Sequence, residues 1–152
     1  MSYSDSIDIA CSPEEAFKVV TDLPNMGRLS PENTGGEWIG GATQAQVGAK
    51  FKGTNTRAND TWFTTAKVVT LDAPTRFVFD VTYKKVFKVA RWEFDVEPAP
   101  GGCRVTETWS DHRSNFARKQ SESDDFKRVD YSKVSIRTTL EKLKALCEHS
   151  GP

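Results

Sequence analysis

Histidine and cysteine are scarce in this chain: His112 and His149 are its two histidines, and Cys11, Cys103 and Cys147 its three cysteines. An odd, widely scattered set of cysteines gives no disulfide framework and no metal-ligand spacing, so the expectation is reduced thiols and no metal. His112 follows Ser110 and Asp111, but successive side chains on a strand point to opposite faces, so these three do not form a triad. His149 falls at the end of a helix, where it can meet the last carbonyls. A surplus of either charge is also missing: Lys plus Arg is 21 and Asp plus Glu is 21. That balance argues against nucleic acid as a partner, because neutralising phosphates takes a basic excess. No apolar run approaches the ~20 residues that span a bilayer, and the polar opening Met1-Ser2-Tyr3-Ser4-Asp5 is unlike a signal peptide. Gly35-Gly36 and Gly40-Gly41 have no phosphate-loop Lys-Ser/Thr after them and read as turns. These absences leave a cytoplasmic protein with no integral membrane segment and no cofactor as the expectation.

What is present begins with the C-terminal stretch Asp124 to Glu148. Ile136, Leu140, Leu143 and Cys147 step by four, three and four, which is one stripe of an α-helix. Val129 extends the stripe, and Val134 and Leu146 flank it. Asp124 and Asp125 suit the helix start, and Ser150-Gly151-Pro152 suits its end. The rest of the chain has no other long helix to pack on, so the stripe requires a sheet. At 152 residues the whole chain, 1–152, is expected to form one domain.

The sheet is legible as alternation. Ser6 to Ala10 alternates polar and apolar and leads into Ser12-Pro13-Glu14-Glu15, an N-cap, a first-turn proline and a capping-box glutamate. A short helix with Ala16, Phe17, Val19 and Val20 on its buried side ends before Pro24, and Leu23 to Leu29 reads as a second short helix or turn. Six strands follow, at Glu37–Ile39, Ala49–Arg57, Thr61–Leu71, Arg76–Lys84, Lys88–Glu97 and Arg104–Arg113. Turns at Asn59-Asp60, Asp72-Ala73-Pro74, Lys84-Lys85 and Pro98 to Gly102 join them, so the pairing is antiparallel. The class is α+β, in the order β-α-α-β6-α, with the sheet curved around the last helix.

Strand parity then assigns faces. Phe51, Gly53, Asn55 and Arg57 point inward, as do Trp62, Thr64, Ala66 and Val68. Phe77, Phe79, Val81 and Tyr83 form the next inward row, followed by Ala90, Trp92, Phe94 and Val96. The last row is Val105, Glu107, Trp109, Asp111 and Arg113. Arg57, Asp111 and Arg113, near strand ends, are expected in water or on a rim. Glu107 lies mid-strand, where burial is costly unless Asn55, Arg57 or water satisfies it. Large aromatics with a few converging polar groups are the usual lining of a small-molecule pocket, though they also fill ordinary cores.

Several segments carry a resemblance. Trp38-Ile39-Gly40-Gly41, Val47 to Gly53, Trp62-Phe63-Thr64-Thr65, Arg76-Phe77-Val78-Phe79, Ala90 to Phe94 and Gly102 to Trp109 come in an order that resembles START-like SRPBCC proteins. The subgroup most similar is the bacterial polyketide cyclase/dehydrase and lipid-transport-like one. Ile7 to Phe17 and Thr139 to Lys144 resemble its opening and closing elements. The resemblance implies the helix-grip fold, a seven-stranded antiparallel sheet gripping the last helix around a cavity. It also implies that Trp38, Phe51, Trp62, Phe79, Trp92, Trp109, Ile136 and Leu140 lie in or near the cavity wall; alternation adds Asn55, Tyr83 and Glu107. No catalytic motif is shared across that superfamily, so fold does not fix function. Three readings stay open: a carrier or sensor of a small hydrophobic molecule, an aromatase/cyclase-type enzyme with Glu107 as acid or base, and an interaction module with a filled core.

Overall fold

The protein is described here by a computed structural model covering residues 1–123 and 126–149. β1 (Ser2–Ile9) leads into α1 (Pro13–Val20) and a 3-10 turn at Leu23–Arg28. Six strands follow: β2 (Asn33–Ile39), β3 (Lys50–Arg57), β4 (Asp60–Asp72), β5 (Arg76–Tyr83), β6 (Phe87–Ala99) and β7 (Gly102–Asp111). Two helices, α2 (Asn115–Ser121) and α3 (Arg128–His149), complete the described chain. The strands form one seven-stranded antiparallel sheet in the order β1-β7-β6-β5-β4-β3-β2, an α+β arrangement.

Local chemistry accounts for the element ends. Ser12 caps α1, its side chain accepting from the Glu15 N–H at 3.2 Å, and Pro13 takes the first turn, where its missing N–H costs nothing. The β6–β7 turn brings Gly102 so close to β1 that a Cβ there would stand 2.0 Å from the Ile9 carbonyl oxygen; only glycine fits. On the outer face, ion pairs cross between β5 and β6. Arg91 donates twice to Asp80, at 2.7 and 3.0 Å, and Arg76 reaches both Asp95 and Glu93.

The core sits where α1 and α3 meet the β1, β7 and β6 end of the sheet. Ile136, Leu140 and Leu143 are fully buried there with Val20, Val105 and Cys103. Burial pushes the Cys103 and Cys147 thiols up to about 12, with Cys11 beside both, so these thiols stay protonated. Cys11, Cys103 and Cys147 are thiols, not disulfides.

Three features depart from the sequence reading. The long helix begins at Arg128, after the described Phe126 and Lys127; Asp124, Asp125 and the expected stop at Ser150-Gly151-Pro152 lie outside the described residues. α2 was not expected: Phe116 is its single large apolar residue and none of its residues is buried, so it has no stripe to detect. Val78, assigned to the outer face, is buried beside the register shift at Val69.

Because Leu140 of α3 is fully buried in the core, Leu140→Ala is expected to cost about 2–5 kcal/mol. Val134→Ala, at an exposed position of the same helix, should stay within about 0.5 kcal/mol of the parent. Urea unfolding of the two variants measures both.

Candidate functional site

The inward rows of β3 to β7 do not meet α3 along its whole length. Between them lies a cavity of about 630 Å³. Small side chains leave this room. The sheet contributes Gly53, Thr64, Ala66 and Ala90 to the wall, and α3 contributes Ser135 and Thr139, one helical turn apart. Aromatics supply most of the remaining wall: Phe51, Trp62, Phe79, Trp92, Phe94 and Trp109. Leu23 and Met26 of the 3-10 turn close one side. The cavity reaches the surface, since Asp60, Tyr83, Phe87, Lys88 and Phe116 both border it and are exposed.

Of the side chains expected in the wall, Phe51, Asn55, Trp62, Phe79, Tyr83, Trp92, Glu107 and Trp109 border this cavity. Trp38, Ile136 and Leu140 do not. Trp38 packs edge-on against Phe51, with ring centroids 5.2 Å apart, and Phe51 is the one that borders the space. Ile136 and Leu140 are 0% exposed in the core. The apolar stripe of α3 anchors the helix, and its neighbouring hydroxyl stripe faces the cavity. The resemblance pointed to the wrong stripe because apolar residues suit both a wall and an anchor.

Parity fails in one useful place. Val81 pairs with Ala90 but Thr82 pairs with Lys88, so Val89 is an extra residue in β6. This bulge brings Phe87, Lys88 and Val89 all to the cavity mouth. No alternation pattern could give that. The Ser114 cap on α2, which accepts from the Ala117 N–H at 3.1 Å, was the available sequence signal for the missed helix. α2 lies over the mouth through Phe116, Ala117 and Gln120.

The polar groups around the mouth are bound to one another. The Asp111 side chain is fully buried and Arg113 is 10% exposed, so of the two positions expected for them, in water or on a rim, neither lies in water. Arg113 donates to Asp111 at 3.0 and 2.8 Å, to Ser121 and to Glu122, and Arg118 stands 3.3 Å from Asp111. Burial alone would raise the Asp111 carboxyl, but the Arg113 bonds and charge outweigh it and hold it below its ordinary value. Arg128 pairs with Glu32 at 3.1 Å. Arg57, half-buried, stands 3.8 Å from the Phe126 ring centroid and within 5.9 Å of those of Trp62 and Tyr131.

Glu107 is different. It is 5% exposed, and its Oε1 has no hydrogen-bond partner. Asn55 is engaged with Asn33 and Thr64, and Arg57 with aromatic faces, so the partners suggested by the sequence are committed elsewhere. Burial pushes the Glu107 carboxyl well above the usual carboxylate range and favours its neutral, proton-carrying form. The described residues contain no cluster of His, Cys, Asp or Glu suited to a metal.

A curved antiparallel sheet holding one long helix over an apolar cavity defines the helix-grip class. Residues 1–148 match the family described as polyketide cyclase / dehydrase and lipid transport, and the chain belongs to that family. No curated protein matches the chain. Among solved structures, protein CV1439 from Chromobacterium violaceum is similar with a TM-score of 0.73 at 12% identity, covering 97% of this chain and 96% of its own. Ara h 8.0201 is similar with a TM-score of 0.70 at 16% identity, covering 97% of each chain. The polyketide cyclase-like protein Cgl2372 from Corynebacterium glutamicum gives 0.63 at 24% identity, covering 97% of this chain and 90% of its own. At these identities the likeness shows the fold. Among the described residues, no helix is long and apolar enough to cross a membrane.

The raised Glu107 value has a signed consequence. The folded state holds a proton that the unfolded chain releases at an ordinary carboxyl value. The associated stability is therefore fully present below that value and is lost as pH rises through the raised one. Glu107→Gln is expected to flatten the decline of the urea midpoint as pH is raised from about 5. An unchanged slope in that titration would remove the buried-acid assignment.

Proposed function

We propose that the protein binds a small, largely apolar molecule of lipid- or polyketide-like shape in the cavity between sheet and α3, as a carrier or sensor. The observation that carries this reading is the space itself: about 630 Å³ with a mostly aromatic and aliphatic wall and an open mouth. That volume lies within the range of small-molecule sites. Removing a ligand's apolar surface from water there supplies roughly 25 cal/mol per Å² before the costs of association are subtracted. The family's description supports the same reading. An interior this empty argues against the filled-core interaction module.

Fatty acids and hydrophobic fluorescent dyes are the first probes. Binding should quench tryptophan fluorescence, with Trp62, Trp92 and Trp109 in the wall. A ligand at a hundred times its Kd should stabilise the fold by about 2.7 kcal/mol. Ala66→Phe, which puts a ring into the space, should fold and lose the binding. No dye displacement and no thermal shift with any probe would count decisively against a carrier.

A second reading rests on Glu107. A proton-carrying carboxyl at the border of a largely apolar space can protonate a carbonyl or enolate of a folded polyketone, while the wall holds the reacting carbons together. This is the aromatase/cyclase-type reading, with Glu107 as general acid and Tyr83 or Arg57 as polarising groups. In Glu107→Gln, ring closure of a model polyketone should fall by about 100-fold or more, followed by product absorbance. Unchanged turnover would leave the carrier reading alone.

A further inference from the structure

The residues around the mouth are arranged in a way that ligand binding alone does not require. The end of the β5–β6 hairpin runs Tyr83-Lys84-Lys85-Val86-Phe87-Lys88, and every one of these residues is exposed. Val86 is 73% and Phe87 57% exposed, large apolar side chains at the tip of a turn. Lys84 and Lys85 both take positive φ, 53° and 66°, so the tip is a tight turn that presents its side chains outward. β7 leaves the sheet at the same end, because Asp111 lies opposite Ala90. That places α2 on the same rim, where Phe116 is 74% exposed and also borders the cavity.

Charge separates this rim from the rest of the molecule. The whole chain is neutral, yet Tyr83 to Lys88 contains three lysines and no acid, and Asn115–Ser121 contains Arg118 and Lys119 and no acid. Arg118 is spent on the buried Asp111, and Lys119 is exposed. Asp60, an exposed acid on the mouth, is the cross-strand partner of Arg57. Exposed aromatic and aliphatic side chains among lysines match the boundary of an anionic bilayer, where the apolar groups enter the acyl region and each lysine meets lipid phosphate.

We propose that the cavity mouth docks on an anionic lipid bilayer through the Lys84–Phe87 turn and Phe116 of α2. Docking there seats the entrance against the acyl region, so an apolar guest can pass between bilayer and cavity without crossing water. Passage of a guest rests on the cavity reading, but docking does not: Phe87 and Phe116 border the cavity, whereas Lys84, Lys85 and Val86 do not.

Co-sedimentation with vesicles tests this. The full chain is incubated with vesicles of phosphatidylcholine alone and with phosphatidylglycerol added. Binding is expected to the phosphatidylglycerol vesicles, much less to phosphatidylcholine alone, and to weaken as salt is raised. Lys84→Asn with Lys85→Asn removes two charges with a residue that accepts positive φ, and should weaken binding by about tenfold or more. Val86→Glu should weaken it as well. Dye uptake without vesicles, measured on the same variants, should stay at the parental level; a parallel loss would mean that the changes act on the cavity. No binding of the parent to either vesicle, or equal binding by all variants, overturns the proposal. So does a dimer in solution that these variants dissociate, which would assign the surface to a second copy.

Discussion

Everything else in this structure depends on α3 being fastened along one stripe and left unpacked along the next. Ile136, Leu140 and Leu143 lock the helix into the core at the β1–β7 end. One step around the helix, Ser135 and Thr139 are too short to reach the opposite strands. Protein interiors normally close such gaps, since unfilled volume forfeits dispersion contacts. Here the sheet opposes the short hydroxyl residues with Gly53, Thr64, Ala66 and Ala90, so nothing closes it. Anchoring and hollowness come from neighbouring stripes of a single helix.

The fold was largely legible in the sequence for the same reason that it is stable. Alternation in residues 79–83 and 91–97 is strict, and the four-three-four spacing from Ile136 to Cys147 is a clear helical stripe. The wall was legible where strand parity held, as for Phe51, Phe79, Trp92 and Trp109. It was lost where a single extra residue, Val89, shifted the parity of β6. α2 was invisible because a helix that buries nothing leaves no periodic trace. The error over Ile136 and Leu140 has a different origin. Sequence says which face of a helix is apolar, but only the packed structure says whether that face meets neighbours or space.

Glu107 and Asp111 show how two acids on one strand come to differ. They lie four residues apart on β7, on the same face by parity. Asp111, at the strand end, is reached by Arg113 and Arg118 from the segment that follows it, and its carboxyl is held in the charged form. Glu107, four register pairs further in, is flanked by β1 and β6, and its Oε1 finds no donor. Distance from the segment carrying the arginines decides which carboxyl is pushed up and which is held down. The cavity therefore has an ion-paired end near the surface and a buried acid with an unpartnered oxygen in its depth.

The short helix over the mouth is held by polar groups. None of its residues is buried, and ion pairs and hydrogen bonds tie it through Arg113, Arg118, Ser121 and Asp111. Lifting it would break polar bonds that water can replace, while leaving the apolar contacts of Leu140 and Phe94 untouched. The gateway and the keystone thus answer to separate forces: salt and solvent act on the one, and the buried apolar contacts sustain the other.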